Sequence, residues 1–472
     1  MIRFMQGLVM AAIVCGGALA RTAPPDKSNF DAIGQKIAKE QAAPGFAYLV
    51  WSHGNVVFAK GYGFADVAAK IPVTPSTHFA IGSISKQFTA ACVLLLIQQG
   101  KLSLDDKLAQ YVPGMPNADQ ITLRMLLNQV SGLHNYPLTT EHNWPLSGEI
   151  PPEKIIDVLR TDKPDFAPGE RWEYSNTNYA VLAYIVARVS GIPYADFLQK
   201  NIFAPLGMTS SGSGFAAQSN TATPYQGTPG NFSEAKPRIS LDLFYGAGSI
   251  VSTAQDLARW DAALIDGSLL HASSMQDLWT NGKLPNGTPI NYAMGFIATS
   301  IGTHREVWHN GFAPNAGGYC YNAIFPDDNL AVIVLSNAPD PAFRSKAEEI
   351  VQATLTLYDP KINEPASPSA SLKDDPTVHG LALKMWDQLS SGKLDRSLLS
   401  PEMNAAMTPQ LLAAVGPQLQ SVGKLESISL SEKAPMSKGT NYIYAARFST
   451  GEHKIQIFVA TDGKVGGYRL LP

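Results

Sequence analysis

Residues 83–100 read SISKQFTAACVLLLIQQG. From Phe88 onward the segment is almost wholly apolar and Gly100 stops it, so a helix is expected over residues 83–99. Phe88, Cys92, Val93, Leu95, Leu96 and Ile97 leave that helix little polar face, and it must be buried. Ser83 and Lys86 stand at its head. Three residues apart on a helix, they share a face one turn apart. The ammonium can then hydrogen-bond the hydroxyl, while the helix N-terminus favours negative charge developing on the oxygen. An N-cap serine and a solvated lysine are the ordinary reading of S-x-x-K, which recurs at Ser390/Lys393 and Ser421/Lys424. A lysine heading a buried helix needs a partner, and this sets Ser83/Lys86 apart from those two.

Strand-like runs flank this helix at a distance. Residues 45–52 and 56–61 surround His53-Gly54-Asn55, a hairpin signal. Residues 306–308, 318–325 and 330–335 are strand-like too, the last two separated by the turn Pro326-Asp327-Asp328-Asn329. Between them lies a polar, Gly- and Pro-rich middle with helical stretches at 179–189 and 254–265. Strands at both ends with helices between predict an α+β domain whose sheet joins distant segments. Composition changes at 359–375, where Pro360, Pro365 and Pro368 sit among Ala and Ser, as in a linker. Beyond it, helix-like stretches (380–389, 410–415) lead to alternating strands at 442–444, 455–459 and 465–470, a small α+β module over 376–472.

The first twenty residues resemble a secretory signal: Arg3, an apolar stretch over 8–14, and Ala18-Leu19-Ala20 before a cleavage after Ala20. The stretch is too short to span a membrane, and Val14 is bulky for a lipoprotein signal ending at Cys15. A periplasmic or secreted chain without a transmembrane span is expected, starting at Arg21. Of three cysteines it keeps Cys92 and Cys320, each in an apolar run and expected as a buried free thiol.

A net charge of -3, from 36 basic and 39 acidic residues with no basic tract, argues against a nucleic-acid partner. There is no P-loop, no H-E-x-x-H, no C-x-x-C and no G-x-S-x-G, so no metal or cofactor is implied and an α/β-hydrolase is disfavoured. Gly61-Tyr62-Gly63 reads as strand-end glycines.

Two further patterns carry chemistry. Tyr174-Ser175-Asn176 is the one Y-x-N among seventeen tyrosines. A tyrosine beside one or two cations can ionise and take a serine proton, and Asn176 can donate to a substrate carbonyl. A loop tyrosine and a turn asparagine are the plainer reading. His309-Asn310-Gly311 follows a strand. The histidine would add a donor or a positive charge over the serine, and the glycine would let substrate lie along the strand edge. A histidine satisfied within its strand is the plainer reading.

In this order and context, the three patterns resemble the serine β-lactamase and penicillin-binding-protein superfamily in its class C-like branch, with D-alanyl-D-alanine carboxypeptidases, D-aminopeptidases and esterases. The resemblance covers residues 30–358 and includes ITLRMLLNQVSGL (121–133), FAPGERWEYSNTN (166–178) and GAGSIVSTAQDLARW (246–260). It implies a β-lactamase-like antiparallel sheet with helices packed on it, a helical or irregular middle region, and a C-terminal domain similar to NTF2-like or cystatin-like modules. It implies that Ser83 is acylated, that Lys86 keeps it activated, and that Tyr174 shuttles the proton to the leaving group. The backbone N–H groups of Ser83 and Phe312 would form the oxyanion hole. His309 stands where class C β-lactamases carry the lysine of K-T-G, which weakens the case for a dedicated β-lactamase. Gln129-Val130 replaces the more usual His-Thr and reads as a packing variation. The substrate implied is a small molecule or short peptide, cell-wall peptides included. The alternatives are a β-lactamase, a catalytically weak penicillin- or muropeptide-binding protein, and an interaction protein led by its C-terminal module.

Overall fold

The computed structural model describes residues 25–136, 146–218, 221–340, 342–360, 362, 374–436 and 439–471. The expected signal at 1–20, much of the expected linker at 359–375 and part of the middle region lie outside them. The chain divides into two compact units, one running to residue 363 and the other from residue 364.

The larger unit is built on a seven-stranded sheet. Its order is Ile71–Pro72, Asn55–Asp66, Gly45–Ser52, Leu330–Ser336, Cys320–Phe325, His304–Gly311 and Ile297–Ile301, and its neighbours pair antiparallel. The first strand of the first hairpin thus pairs on its other side with a strand nearly three hundred residues away, Phe46 opposite Ser336 and Ser52 opposite Leu330. Every residue of Gly45–Ser52 and Leu330–Ser336 is buried, because both faces of the sheet are covered. Side chains alternate between faces. Ala47, Leu49, Ile333 and Leu335 pack into a core with helices Ser85–Gln98, Asn176–Ser190 and Ala254–Ile265. Phe46, Tyr48, Val332 and Val334 face helices Lys27–Lys39 and Arg344–Tyr358. Continuous apolar runs, without alternation, are what such a doubly covered strand requires.

The expected α+β architecture is present, with local differences. Gly61-Tyr62-Gly63 lies inside the strand Asn55–Asp66 and not at its end, because the strand runs on to pair with Ile71–Pro72 and Tyr62 stacks on Phe46, ring centroids 4.9 Å apart. The helix expected from residue 83 begins at Ser85, preceded by a 3-10 turn over Gly82–Ile84. Ser83 is therefore not an N-cap. Cys92 and Cys320 are buried free thiols.

The smaller unit has a four-stranded antiparallel sheet, Leu425–Met436, Gly439–Phe448, Gly451–Ala460 and Val465–Leu471, with helices Pro376–Ser391 and Pro409–Ser421. Met385, Leu389, Tyr444, Ile455, Ile457 and Val465 form its own core. The edge strand Leu425–Met436 escaped the sequence reading because its apolar residues are sparse and interleaved with Ser, Glu and Lys. No single helix among the described residues is long and apolar enough to cross a membrane.

Candidate active site

Two backbones touch at the 3-10 turn Gly82–Ile84. Gly82 has φ +52°, and a Cβ on it would lie 2.4 Å from the Phe312 nitrogen. A Cβ on Gly311 would lie 1.8 Å from the Ile81 oxygen and 3.1 Å from the Ser83 nitrogen. Only glycine allows this approach. It brings the Ser83 and Phe312 amides to the same corner of a cleft of about 330 Å3 that also exposes Trp172, Tyr174, Tyr292 and His309.

Ser83, half-buried, opens onto that cleft. Lys86 is fully buried, and its Nζ lies 3.0 Å from Ser83 Oγ, 2.9 Å from Asn176 Oδ1 and 2.7 Å from the Ala247 carbonyl. Burial pushes its pKa well below the ordinary lysine value. Asn176 Oδ1 and the Ala247 carbonyl can only accept, so a neutral Lys86 spends its two N–H bonds on them. Its lone pair then faces Ser83 Oγ. The lysine that the sequence placed on one face with the serine is thus held in the geometry of a base.

Tyr174 brings its hydroxyl 2.8 Å from Ser83 Oγ, and its ring lies 4.8 Å from Lys86 Nζ. The expectation that a neighbouring cation would ionise this tyrosine is not met. Burial raises the Tyr174 pKa above its ordinary value of 10, only partly offset by the hydrogen bond to Ser83. Burial thus disfavours both the ammonium on Lys86 and the phenolate on Tyr174. Asn176 begins the helix Asn176–Ser190; its Oδ1 is committed to Lys86, leaving its NH2 to act toward a substrate.

His309 lies at the cleft, but not as a positive charge. Burial pushes its pKa down to about 3, and a proton on Lys86 would push it the same way. Its Nδ1 sits 2.5 Å from the Asn310 carbonyl, which can only accept, so Nδ1 carries the proton. Nε2 is then the acceptor for the Tyr292 hydroxyl at 3.2 Å. Both ring nitrogens are occupied within the protein, and the imidazole is neutral.

The structure adds residues that the motifs did not mark. Tyr292, T-shaped to His309 at 5.8 Å between ring centroids, forms a wall of the cleft. Trp172, 41% exposed, stands at its mouth. Ser175, the N-cap of its helix, makes no side-chain cap bond; instead its own N–H donates to Gln129 Oε1 at 3.1 Å, and Asn176 N–H donates to Asn135 Oδ1 at 2.8 Å. Gln129 is therefore a hydrogen-bonding residue and not a packing variation. A polar residue beside Asn128 and close to Ser131 carried no periodic signal of this. A larger hollow of about 810 Å3, lined by Glu153, Tyr184, Arg188, Phe215 and Tyr245, has more room but no nucleophile paired with a base; chemistry and not volume locates the site.

The family pattern described as Beta-lactamase matches residues 30–355. The chain is 36% identical over 315 residues to PbpX of Bacillus subtilis, a protein named for penicillin binding, covering 65% of this chain and 75% of that one. It is 30% identical over 328 residues to a D-aminopeptidase of Brucella canis, covering 68% of this chain and 62% of the relative, less than two thirds of that protein's length. Among solved structures, a D-amino acid amidase from Ochrobactrum anthropi, complexed with L-phenylalanine, matches with a TM-score of 0.61 and 25% identity over 70% of this chain and 97% of that one.

Proposed function

The chain belongs to the β-lactamase and penicillin-binding-protein superfamily of serine hydrolases, and from that premise we propose that it hydrolyses esters, amides or D-amino-acid peptides through an acyl-enzyme on Ser83. One observation carries the reading: Ser83 Oγ lies within hydrogen-bond reach of both Lys86 Nζ and the Tyr174 hydroxyl at the head of a buried helix. In acylation, neutral Lys86 takes the Ser83 proton as Oγ bonds to the substrate carbonyl carbon. The oxyanion faces the Ser83 and Phe312 N–H groups, where charge stabilisation contributes most to rate. As the bond to the leaving group breaks, Tyr174 gives it a proton, and the resulting phenolate is stabilised by the Lys86 ammonium. In deacylation the phenolate takes a proton from water, whose oxygen attacks the acyl carbon, and Ser83 Oγ leaves with the proton held on Lys86. The protons and bonds then sum to hydrolysis alone.

Within this class, ester and amide hydrolysis rank level with D-amino-acid peptide hydrolysis, which the names of the D-aminopeptidase and D-amino acid amidase relatives favour. β-Lactam hydrolysis ranks third, since His309 replaces the lysine and is neutral. We propose also that the chain is exported, on the signal-like pattern of residues 1–20; N-terminal sequencing of protein recovered outside the cytoplasm checks this.

The test is intact mass spectrometry of the protein and Ser83→Ala, each treated with a fluorophosphonate and with benzylpenicillin. A single fluorophosphonate adduct lost in Ser83→Ala is the expected result. A lasting penicilloyl adduct points toward D-Ala-D-Ala peptides or a slow binding protein. No adduct with either reagent on folded protein overturns the proposal.

A further inference from the structure

Helix Leu123–Leu127 ends with the hydrogen-bond pattern that usually calls for glycine. The Gln129 N–H donates to the Leu126 carbonyl and the Val130 N–H to the Met125 carbonyl, a Schellman arrangement whose left-handed residue is Gln129, at φ +63°. A glutamine there is strained where glycine would not be. Its side chain is also fully buried, and a buried amide is costly unless its atoms are bonded. Strain and burial at one residue call for a compensating role.

The compensation lies beside the catalytic tyrosine. Gln129 Oε1 accepts from the Ser175 N–H and from the Asn178 side-chain NH2. Both partners are donors, which settles the orientation of the amide. The Gln129 carbonyl accepts from the Glu173 N–H at 3.1 Å. Gln129 thus grips the chain immediately before and immediately after Tyr174. Asn178 in turn accepts from Ser131 Oγ, and Ser131 Oγ accepts from the Leu133 N–H, so the clamp is anchored on its far side.

We infer that Gln129 is the positioning residue for Tyr174, holding the phenol at hydrogen-bond distance from Ser83 Oγ against the slack of an uncapped helix start. It touches neither substrate nor reacting atoms. The inference rests on the proposed role of Tyr174 as proton carrier. Loss of the clamp acts on the step in which Tyr174 moves a proton and leaves substrate binding in the cleft in place, so kcat falls and KM does not follow.

The experiment uses the full chain with an activated aryl ester and an amide as substrates, and compares Gln129→Gly, Gln129→Met, Gln129→His and Tyr174→Phe. Gln129→Gly removes the amide but suits the left-handed backbone; Gln129→Met keeps the volume without the acceptor; Gln129→His restores an acceptor with the residue more usual at this point. In Gln129→Gly and Gln129→Met, kcat for the amide is expected to fall on the order of 100-fold, as for a misplaced catalytic group, with KM within about threefold. The ester, whose leaving group needs no proton, is expected to lose less. Gln129→His should recover most of the amide rate. Unchanged amide kcat in Gln129→Gly or Gln129→Met overturns the inference, as does a loss equal for both substrates that tracks thermal stability in all three variants. Full amide activity in Tyr174→Phe removes instead the reading on which it rests, a separate and recognisable outcome.

Discussion

The pattern S-x-x-K occurs in both units of this chain, and comparing three of its four occurrences shows what makes it chemistry. In the hydrolase unit Lys86 is fully buried, held by Asn176 and Ala247, and faces Ser83. In the C-terminal unit Ser390 sits at the end of a helix and donates to the Asp387 carbonyl, while Lys393 is exposed. Ser421 and Lys424 are both exposed at the end of the next helix. The spacing is the same. In the first case the pair stands at the start of a helix wrapped by core on all sides, so burial lowers the lysine's pKa and makes it a base. In the two C-terminal cases the lysine stands in solvent and heads no buried helix.

The sharpest way to break that contrast is to remove the serines one at a time. Ser83→Ala should abolish turnover, with a loss on the order of a million-fold in kcat for removal of a nucleophile, whereas Ser390→Ala and Ser421→Ala should leave steady-state rates unchanged. A comparable loss in either C-terminal variant would end the distinction. Lys86→Met should cost less than the serine, on the order of a thousandfold. In the parent, activity should rise with pH as Lys86 loses its proton at a pKa below the ordinary lysine range. A rate profile without that rise would show that Lys86 is not the base.

A smaller effect tests burial itself as the cause. Glu306, on the strand that carries His309, is 4% exposed, and burial raises its pKa from 4.5 to about 7. A carboxyl whose folded pKa exceeds its unfolded value favours folding below the unfolded pKa and loses that contribution as pH rises through the folded one. Glu306→Gln should therefore gain stability relative to the parent as pH rises from 4.5 to about 7, by on the order of 3 kcal/mol, and keep that advantage at higher pH. Asp395, fully exposed in the C-terminal unit with its pKa lowered by Ser397, provides the control: Asp395→Asn should show no such window. Urea unfolding across pH reads both.

The smallest expected effect is that of removing the C-terminal unit altogether. Each unit has its own core, and the residues of the proposed mechanism all lie before residue 313. A chain ending at residue 363 should keep kcat within about threefold of the full protein for a small ester. A large loss would give the C-terminal unit a part in catalysis that its exposed serines and lysines do not suggest.

Much of this was legible in advance for identifiable reasons. The helix around Phe88–Ile97, the strands 45–52 and 330–335 and the helix 254–265 are strongly apolar or periodic, and burial enforces such patterns. The edge strand Leu425–Met436 was illegible because one side of an edge strand may stay polar. Ser83, Lys86, Tyr174 and His309 could be picked out because reactive side chains recur at fixed local spacings. Gln129 could not, because its importance lies in bonds to Glu173, Ser175 and Asn178, residues more than forty positions away, and no local spacing encodes those.

The sequence alone determined which groups are present and which segments must be buried, since hydrophobic periodicity and short motifs act over a few residues. Protonation was decided only by the tertiary structure. Whether Lys86 is a cation or a base, whether Tyr174 is a phenolate or an acid, and whether His309 carries a charge depend on how much water each group loses and what it meets there. Desolvation and hydrogen-bond partners come from segments far apart in the chain, and they exist only once the sheet has closed and the helices have packed against it.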